Sequence, residues 1–197
     1  MFLRWVALFL LAACAQAPQP DAPDWARFGQ PEAVVIQGYD GDAMEPFLTR
    51  DGSVLFFNNS NAPSAQTDLH WAERVNDTTF RYRGRIDGAN SSALDGVASM
   101  SADGRLCFIS TRSYETTRGS VYCSAWRPAG VTPPVLQEDV SAHILGRLMF
   151  DLEVSADGAN LIVADGEFRG GPAPSTADLR QARWSGDHYV LSPQDDA

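Results

Sequence analysis

The chain contains no lysine, and this absence limits the chemistry it can perform. All 15 of its basic residues are arginine, against 25 acidic residues, which gives a formal net charge of −10. Catalysis by a lysine base or through a lysine Schiff base is therefore excluded. A chain with this balance also lacks the basic face that phosphate backbones require, so we expect no nucleic-acid partner.

Ligands for metal ions are also sparse. The chain has three cysteines, no Cys-x-x-Cys motif, and three scattered histidines, His70, His143 and His188. Asp40, Asp42 and Glu45 form an acidic cluster of the kind that binds calcium, but they lack the EF-hand spacing, and such clusters in acidic proteins are usually solvated. We therefore predict no metal and no cofactor. Nucleophile-elbow, phosphate-loop and dinucleotide motifs are absent as well, which argues mildly against catalysis.

The N-terminus has the pattern of a secretory signal. Arg4 precedes an apolar run from Trp5 to Ala13, which is too short to span a bilayer and ends at Cys14. Residues 11–14, Leu-Ala-Ala-Cys, resemble the lipobox of bacterial lipoproteins, whose cysteine is acylated. The resemblance implies a signal peptide over residues 1–13, lipid attachment at Cys14 and a tether over 14–32. The protein would then be lipid-anchored on the periplasmic side of the cell envelope, with the outer membrane favoured. The alternative is an ordinary signal peptide with an incidental cysteine.

Three segments repeat along the remaining chain. Their Asp-Gly pairs fall at Asp51, Asp103 and Asp157, with a period of 52 and then 54 residues. A second motif follows each pair, in the order DLHWAER, VYCSAWR and DLRQARW. Two motifs that recur at the same spacing indicate a structural repeat.

Each repeat predicts a strand, an Asp-Gly turn, a second strand, a polar loop and a third strand, because Asp-Gly between apolar runs is a strong hairpin signal. The second strands VLFF, LCFI and LIVA are continuously apolar, as expected for a sheet that is covered on both faces. Further strands are predicted at Phe80–Tyr82, Val135–Leu136 and Tyr189–Leu191, and one more at Ala33–Ile36.

These features predict an all-β fold of propeller-type blades with four antiparallel strands each, at approximately 45–84, 96–138 and 150–192 within a domain over 33–197. The repeats resemble the TolB-like β-propeller family, whose blades carry a Ser-x-Asp-Gly turn before a hydrophobic strand. Residues 101–104 and 155–158 match this turn, whereas Thr49-Arg50 departs from it. A β-sandwich or a β-solenoid with chance turns is the alternative.

The number of repeats is too small for a closed ring. Propellers typically have about four to eight blades, and this chain has three. We expect a truncated reading frame, in preference to blades supplied by another chain or an open arc, because an open arc exposes an apolar face.

Cys107 and Cys123 lie at equal distances from residue 115, the middle of the loop between the second and third predicted strands of the second repeat. A symmetric loop places them opposite each other across an antiparallel pair. A disulfide and two buried thiols both remain open at this point.

Four residues are candidates for ligand binding. Glu45, Asp151 and Glu153 fall on or just before first strands, which line the central channel of a propeller, and Arg112 ends a strand near Tyr114. Two channel carboxylates about 5 to 9 Å apart would suit glycoside hydrolysis, but hydrogen bonding between blades is the simpler interpretation. Arg112 either binds a ligand carboxylate at the rim or caps a blade edge.

The repeat without a catalytic motif predicts a periplasmic binding or scaffold module for an unidentified protein, peptide or glycan. The alternative is a propeller-type hydrolase that cleaves a glycan or peptide with channel carboxylates.

Overall fold

The computed structural model describes residues 29–60 and 66–193. The chain divides after Glu32 into two units, and the helices and strands of the described residues belong to the second. The predicted signal peptide, Cys14 and most of the predicted tether lie outside the described residues. Within the described part, no helix is long and apolar enough to cross a membrane.

In the described ranges, fourteen strands form three successive sheets, which we call blades 1, 2 and 3. Blade 1 contains β1 (Val35–Gln37), β2 (Met44–Leu48), β3 (Val54–Asn58), β4 (Leu69–Arg74) and β5 (Thr79–Arg85), in the spatial order β1-β5-β4-β3-β2.

Blade 2 contains β6 (Asp95–Met100), β7 (Arg105–Ser110), the short helix α1 (Tyr114–Thr117), β8 (Val121–Arg127), β9 (Gly130–Val131) and β10 (Val135–Leu136), and a 3-10 turn follows at Glu138–Val140. Blade 3 contains β11 (Arg147–Val154), β12 (Asn160–Glu167), β13 (Thr176–Trp184) and β14 (Tyr189–Leu191). The predicted all-β fold of propeller-type blades is confirmed.

Blades 1 and 2 each have more than the four predicted strands. The predicted strand before the first repeat is present as β1, but it pairs in parallel with β5, with Ile36 opposite Phe80. In blade 2, the two-residue strand β9 pairs with one end of β8, and β10 pairs with the other end. The edges of these two sheets are therefore covered by short additional strands.

The three Asp-Gly turns have the same local structure. In each, the serine or threonine two positions before the aspartate donates its hydroxyl to the carboxylate and accepts the first N–H of the next strand. The glycines take φ values of 72°, 89° and 70° in chain order, which L-residues adopt rarely. The donated hydroxyl bonds lower the pKa of all three carboxyls, to about 2 for Asp51.

In blade 2, the strand β7 is continuously apolar from Leu106 to Ile109 because both of its faces are buried. Leu106 and Phe108 pack in the cluster shared with blade 1, whereas Cys107 and Ile109 pack in the cluster shared with blade 3. Alternate side chains of one strand thus reach two different cores, since successive residues point to opposite faces. The cluster between blades 1 and 2 is rich in aromatic rings, including Phe56 and Trp126 with centroids 4.9 Å apart.

Cys107 and Cys123 lie directly opposite each other on β7 and β8. Their Cα atoms are 4.1 Å apart, and the structure joins them as a disulfide with an S–S distance of 2.04 Å. Both sulfurs belong to the core between blades 2 and 3.

Arginines connect different blades on the side of the Asp-Gly turns. Arg105 of blade 2 stacks on the Trp184 ring at 3.6 Å and donates to the carbonyl oxygen of Gly158 at 2.9 Å. Arg50 of blade 1 donates to Glu153 and to the carbonyl oxygen of Val154, both at 2.6 Å. The blades are therefore held together by polar contacts as well as by their apolar cores.

Candidate functional site

In every blade, the strand that precedes the Asp-Gly turn carries a β-bulge. The register shifts between Met44 and Phe47 in β2, between Gly96 and Ser99 in β6, and between Met149 and Asp151 in β11. Both β2 and β11 contact β6, so the three bulged strands lie close together. Bulges redirect side chains and are common beside active and binding sites.

Two bulge residues have a left-handed backbone. Glu45 has a φ of 49° and Val97 has a φ of 52°. For β-branched Val97 this conformation costs on the order of 1 to 3 kcal/mol. Its N–H leaves the strand ladder and donates to Oδ1 of the buried Asn58 at 3.3 Å, which supports the bulge from blade 1.

A groove of about 350 Å³ opens beside the bulges. We call it the central groove because all three blades contribute to it, through Glu45, Thr67, Leu94, Gly96, Val97, Ile109, Leu148, Phe150, Phe168, Pro172, Ala173 and Pro174. Ten of these twelve residues are apolar or glycine. Its volume and its few polar groups fit the usual character of ligand sites.

Two aromatic rings form the wall on blade 3. Phe150 and Phe168 meet edge to face, with centroids 5.7 Å apart. Gly166 makes this arrangement possible, because a Cβ at that position would lie 2.8 Å from Phe150 Cδ1. The loop between β12 and β13 then brings Pro172 and Pro174 to the same wall.

Arg112 is not among the described residues that line the groove. Its Nη2 is 2.6 Å from Oδ1 of the fully buried Asp95, and its Nε donates to Ser110 at 2.8 Å. Asp95 also accepts the N–H of Ser91 at 2.5 Å. Breaking a buried ion pair is costly because it leaves an uncompensated charge. The network therefore holds the segment that leads into β6 in place. This segment carries Leu94 and Val97, which line the groove.

The three candidate carboxylates are in different surroundings. Glu45 lines the central groove, whereas neither Asp151 nor Glu153 does. Glu153 binds Arg50 and accepts the hydroxyl of Ser99 at 2.9 Å, so it links all three blades. Asp151 accepts the N–H of Leu152 at 2.8 Å. Among the described residues of the groove, Glu45 therefore has no second carboxylate facing it.

No metal centre emerges from the described ranges. Among residues 29–60 and 66–193, no three His, Cys, Asp or Glu side chains come together in a way that could hold an ion. In the predicted acidic cluster, the main-chain oxygen of Asp42 accepts the hydroxyl of Tyr39 at 2.8 Å.

The sequence interpretation missed the apolar part of the site. Phe150, Phe168 and the proline-rich loop were not singled out, although Glu45 was. The sequence does show that Glu45 and Val97 occupy equivalent positions, because each lies six residues before the aspartate of its Asp-Gly turn. Neither position holds a glycine, so the left-handed backbone there had no compositional marker.

A second groove, also of about 350 Å³, lies between blades 2 and 3 beside Arg105, Arg127 and Trp184. Arg105 is already engaged with Gly158 and Trp184, and Arg127 donates to the carbonyl oxygen of Trp126. We therefore regard the central groove as the better candidate for binding.

Comparisons with known proteins give only distant structural likenesses. No family model and no curated protein sequence matches the chain. TolB from Acinetobacter baumannii aligns with a TM-score of 0.47 at 14% identity, over 78% of this chain and 33% of TolB. An ulvan lyase from a new polysaccharide lyase family aligns at 0.42 and 14%, over 74% and 42%. A thermostable family-43 glycoside hydrolase aligns at 0.42 and 12%, over 80% and 61%. The chain thus spans between about a third and three fifths of these proteins.

Proposed function

We propose that this protein is an exported, lipid-anchored binding module whose central groove holds an apolar peptide segment of a partner protein. The observation that carries the proposal is the apolar groove beside three bulged strands, with walls from every blade. A site built on strands of a rigid scaffold presents the same surface to each ligand, which suits recognition.

The lining favours a peptide over a glycan. A sugar presents many hydroxyls, and each loses its hydrogen bonds to water when it is buried without a partner. Of the lining residues that the structure describes, only Glu45 and Thr67 have polar side chains. The rings of Phe150 and Phe168 and the nearby prolines instead offer apolar contact area.

Glycoside hydrolysis, the alternative function, requires a pair of carboxylates about 5 to 9 Å apart. Among the described residues that line the groove, Glu45 is the one carboxylate. The binding function is therefore the better supported of the two.

Export to the periplasm is consistent with the disulfide. The predicted signal peptide and lipobox cysteine lead to a compartment in which disulfides persist, and Cys107 and Cys123 are bonded. Lipid attachment at Cys14 would keep the module at the membrane surface, on the periplasmic side.

The test measures binding to the full-length protein in lipid nanodiscs. The probes are a fluorescein-labelled Gly-Leu-Phe-Pro-Leu-Phe-Gly peptide, followed by anisotropy, and a disaccharide of N-acetylglucosamine. We expect saturable peptide binding that Leu148→Asp weakens at least about tenfold, because the substitution buries a charge in the apolar wall. Val135→Asp, at an exposed position outside the groove, should leave it unchanged.

Equal peptide affinity in the wild type and Leu148→Asp would refute the site. Cleavage of the disaccharide by the wild type, lost in Glu45→Gln, would refute the binding function in favour of hydrolysis.

A further inference from the structure

The outer edge of blade 3 is only half paired. β13 spans nine residues, but β14 pairs only with its last three, Ala182 to Trp184. In blade 1, by contrast, β5 pairs along β4 up to Arg74, and in blade 2, β9 and β10 cover both ends of β8. The first part of β13 has no strand on its outer side within the described chain.

The main-chain groups of this open edge point outward at alternate residues. The N–H of Trp184 donates to the carbonyl oxygen of Ala159 on the β12 side, whereas the carbonyl oxygen of Gln181 accepts the N–H of Ser192 on the outer side. Because residues of an antiparallel strand alternate between its two sides, Ala177 and Leu179 direct their N–H and C=O groups outward. These four groups form no hydrogen bond within the described residues.

The side chains beside this edge are exposed and alternate in character. Leu179 is 78% exposed, and Ile162 of the neighbouring strand is 39% exposed. On the opposite face, Asp178 is exposed and has no hydrogen bond or ion pair among the described residues, whereas Arg180 is engaged with Asp165 at 3.4 Å. The edge thus offers an apolar contact on one face and an unpaired negative charge on the other.

We propose that the edge of β13 at Thr176–Arg180 binds an extended segment of a partner protein by strand addition, in which apolar residues alternate with basic ones. Strand addition supplies affinity through main-chain hydrogen bonds and specificity through alternate side chains. An apolar residue of the added strand lies beside Leu179 on one face, and a basic residue lies beside Asp178 on the other. This surface is separate from the central groove, so either proposal can fail without the other.

A second copy of the chain fits this edge poorly. Antiparallel pairing of two copies about Leu179 would place Ala177 opposite Gln181 of the other copy, where Ser192 is already bound. Pairing about Asp178 would place two carboxylates side by side, and like charges directly opposite are destabilising. A different chain with basic residues avoids both conflicts.

The test uses the full-length protein in nanodiscs and two labelled peptides, Gly-Val-Arg-Val-Arg-Val-Gly and its Glu-for-Arg counterpart. We expect the arginine peptide to bind at least about tenfold more tightly than the glutamate peptide. Leu179→Pro should abolish this binding, because it removes an outward N–H that no internal bond uses and proline is tolerated at strand edges. Leu179→Thr keeps that N–H and should retain binding within about twofold. Both variants leave the charge of the protein unchanged.

Amide hydrogen exchange of the wild type provides a readout that does not depend on a variant folding. Exchange of the Ala177 and Leu179 amides should slow when the arginine peptide is added, while the Asp178 amide, already bonded within the sheet, should change little. Unchanged exchange at Ala177 and Leu179, or equal affinity in Leu179→Pro, would overturn the proposal. A concentration-dependent dimer that Leu179→Pro dissociates would also overturn it, by assigning the edge to a second copy.

Discussion

The outer faces of blades 1 and 3 bound the same stack of sheets, but they are finished in opposite ways. On blade 1, Leu55, Phe57 and Phe80 are buried, and Ile36 and Tyr39 pack against them. On blade 3, Ile162 and Leu179 stand in solvent. Within the part of the chain that the structure describes, β1 and Tyr39 cover the outer face of blade 1, whereas the outer face of blade 3 is left open.

Aromatic side chains pack together on the outer face of blade 1. The Tyr39 ring lies 5.0 Å from both Phe57 and Tyr82, and its hydroxyl is satisfied by Asp42. His70 completes the cluster through a hydrogen bond of 2.8 Å between its Nδ1 and the hydroxyl of Tyr82. Sheets of one repeat, with equivalent turns, therefore acquire different surfaces through the segments that flank them.

The largest expected difference in stability is between two substitutions that shorten a leucine side chain, one on each outer face. Leu55→Ala should lower the free energy of unfolding by about 2 to 5 kcal/mol, because the side chain is buried in the blade 1 cluster. Leu179→Ala should change it by less than about 0.5 kcal/mol, since that side chain is mostly in solvent. Urea denaturation of both variants measures the difference, and equal losses would show that the blade 3 face is covered in solution.

A second substitution, with a somewhat smaller expected effect on stability, tests whether the two ends of the stack respond separately. It removes the disulfide of blade 2, which lies on the side that faces blade 3. Replacing Cys107 and Cys123 together with alanine should cost about 3 kcal/mol, the loop entropy expected for a bond between residues 16 positions apart. Hydrogen exchange should accelerate in β12 more than in β3. If both strands respond equally, the blades unfold as one cooperative unit and the contrast between the two ends is only local.

The smallest expected effect is a pH dependence confined to blade 1. Burial lowers the pKa of His70 below its ordinary value of about 6.5. Between the two values the unfolded chain binds a proton that the folded chain does not, so stability falls as the pH drops below about 6.5 and the loss is complete below the pKa of the folded state. His70→Gln should reduce the stability difference between pH 7.5 and pH 5, and the control His143→Gln, at an exposed position, should not. An unchanged difference in His70→Gln would contradict this assignment.

Local signals in the sequence predicted much of the fold. The Asp-Gly turns and the strands after them were predictable because glycine and the β-branched and aromatic residues act within a few positions of themselves. The strands Val135–Leu136 and Tyr189–Leu191 have the predicted bounds, and the opposed positions of Cys107 and Cys123 follow from a symmetric loop.

The remaining features depend on contacts between distant residues. The left-handed Val97 is supported by Asn58, which lies 39 positions earlier, and Arg112 finds Asp95 across a connection between blades. The parallel pairing of β1 with β5 likewise joins the start of the domain to the end of blade 1. No local pattern marks such pairs, so the apolar lining of the central groove could not be predicted from the sequence.

The disulfide has a consequence for how the protein matures. It closes a loop within a single hairpin, so under the proposed export it could form as soon as residue 123 reaches the oxidising compartment, before blade 3 has folded. The chain has only three cysteines, and acylation at the proposed position would remove Cys14 from competition. Oxidation would then have one possible outcome, and the protein would need no isomerase to correct its pairing during export.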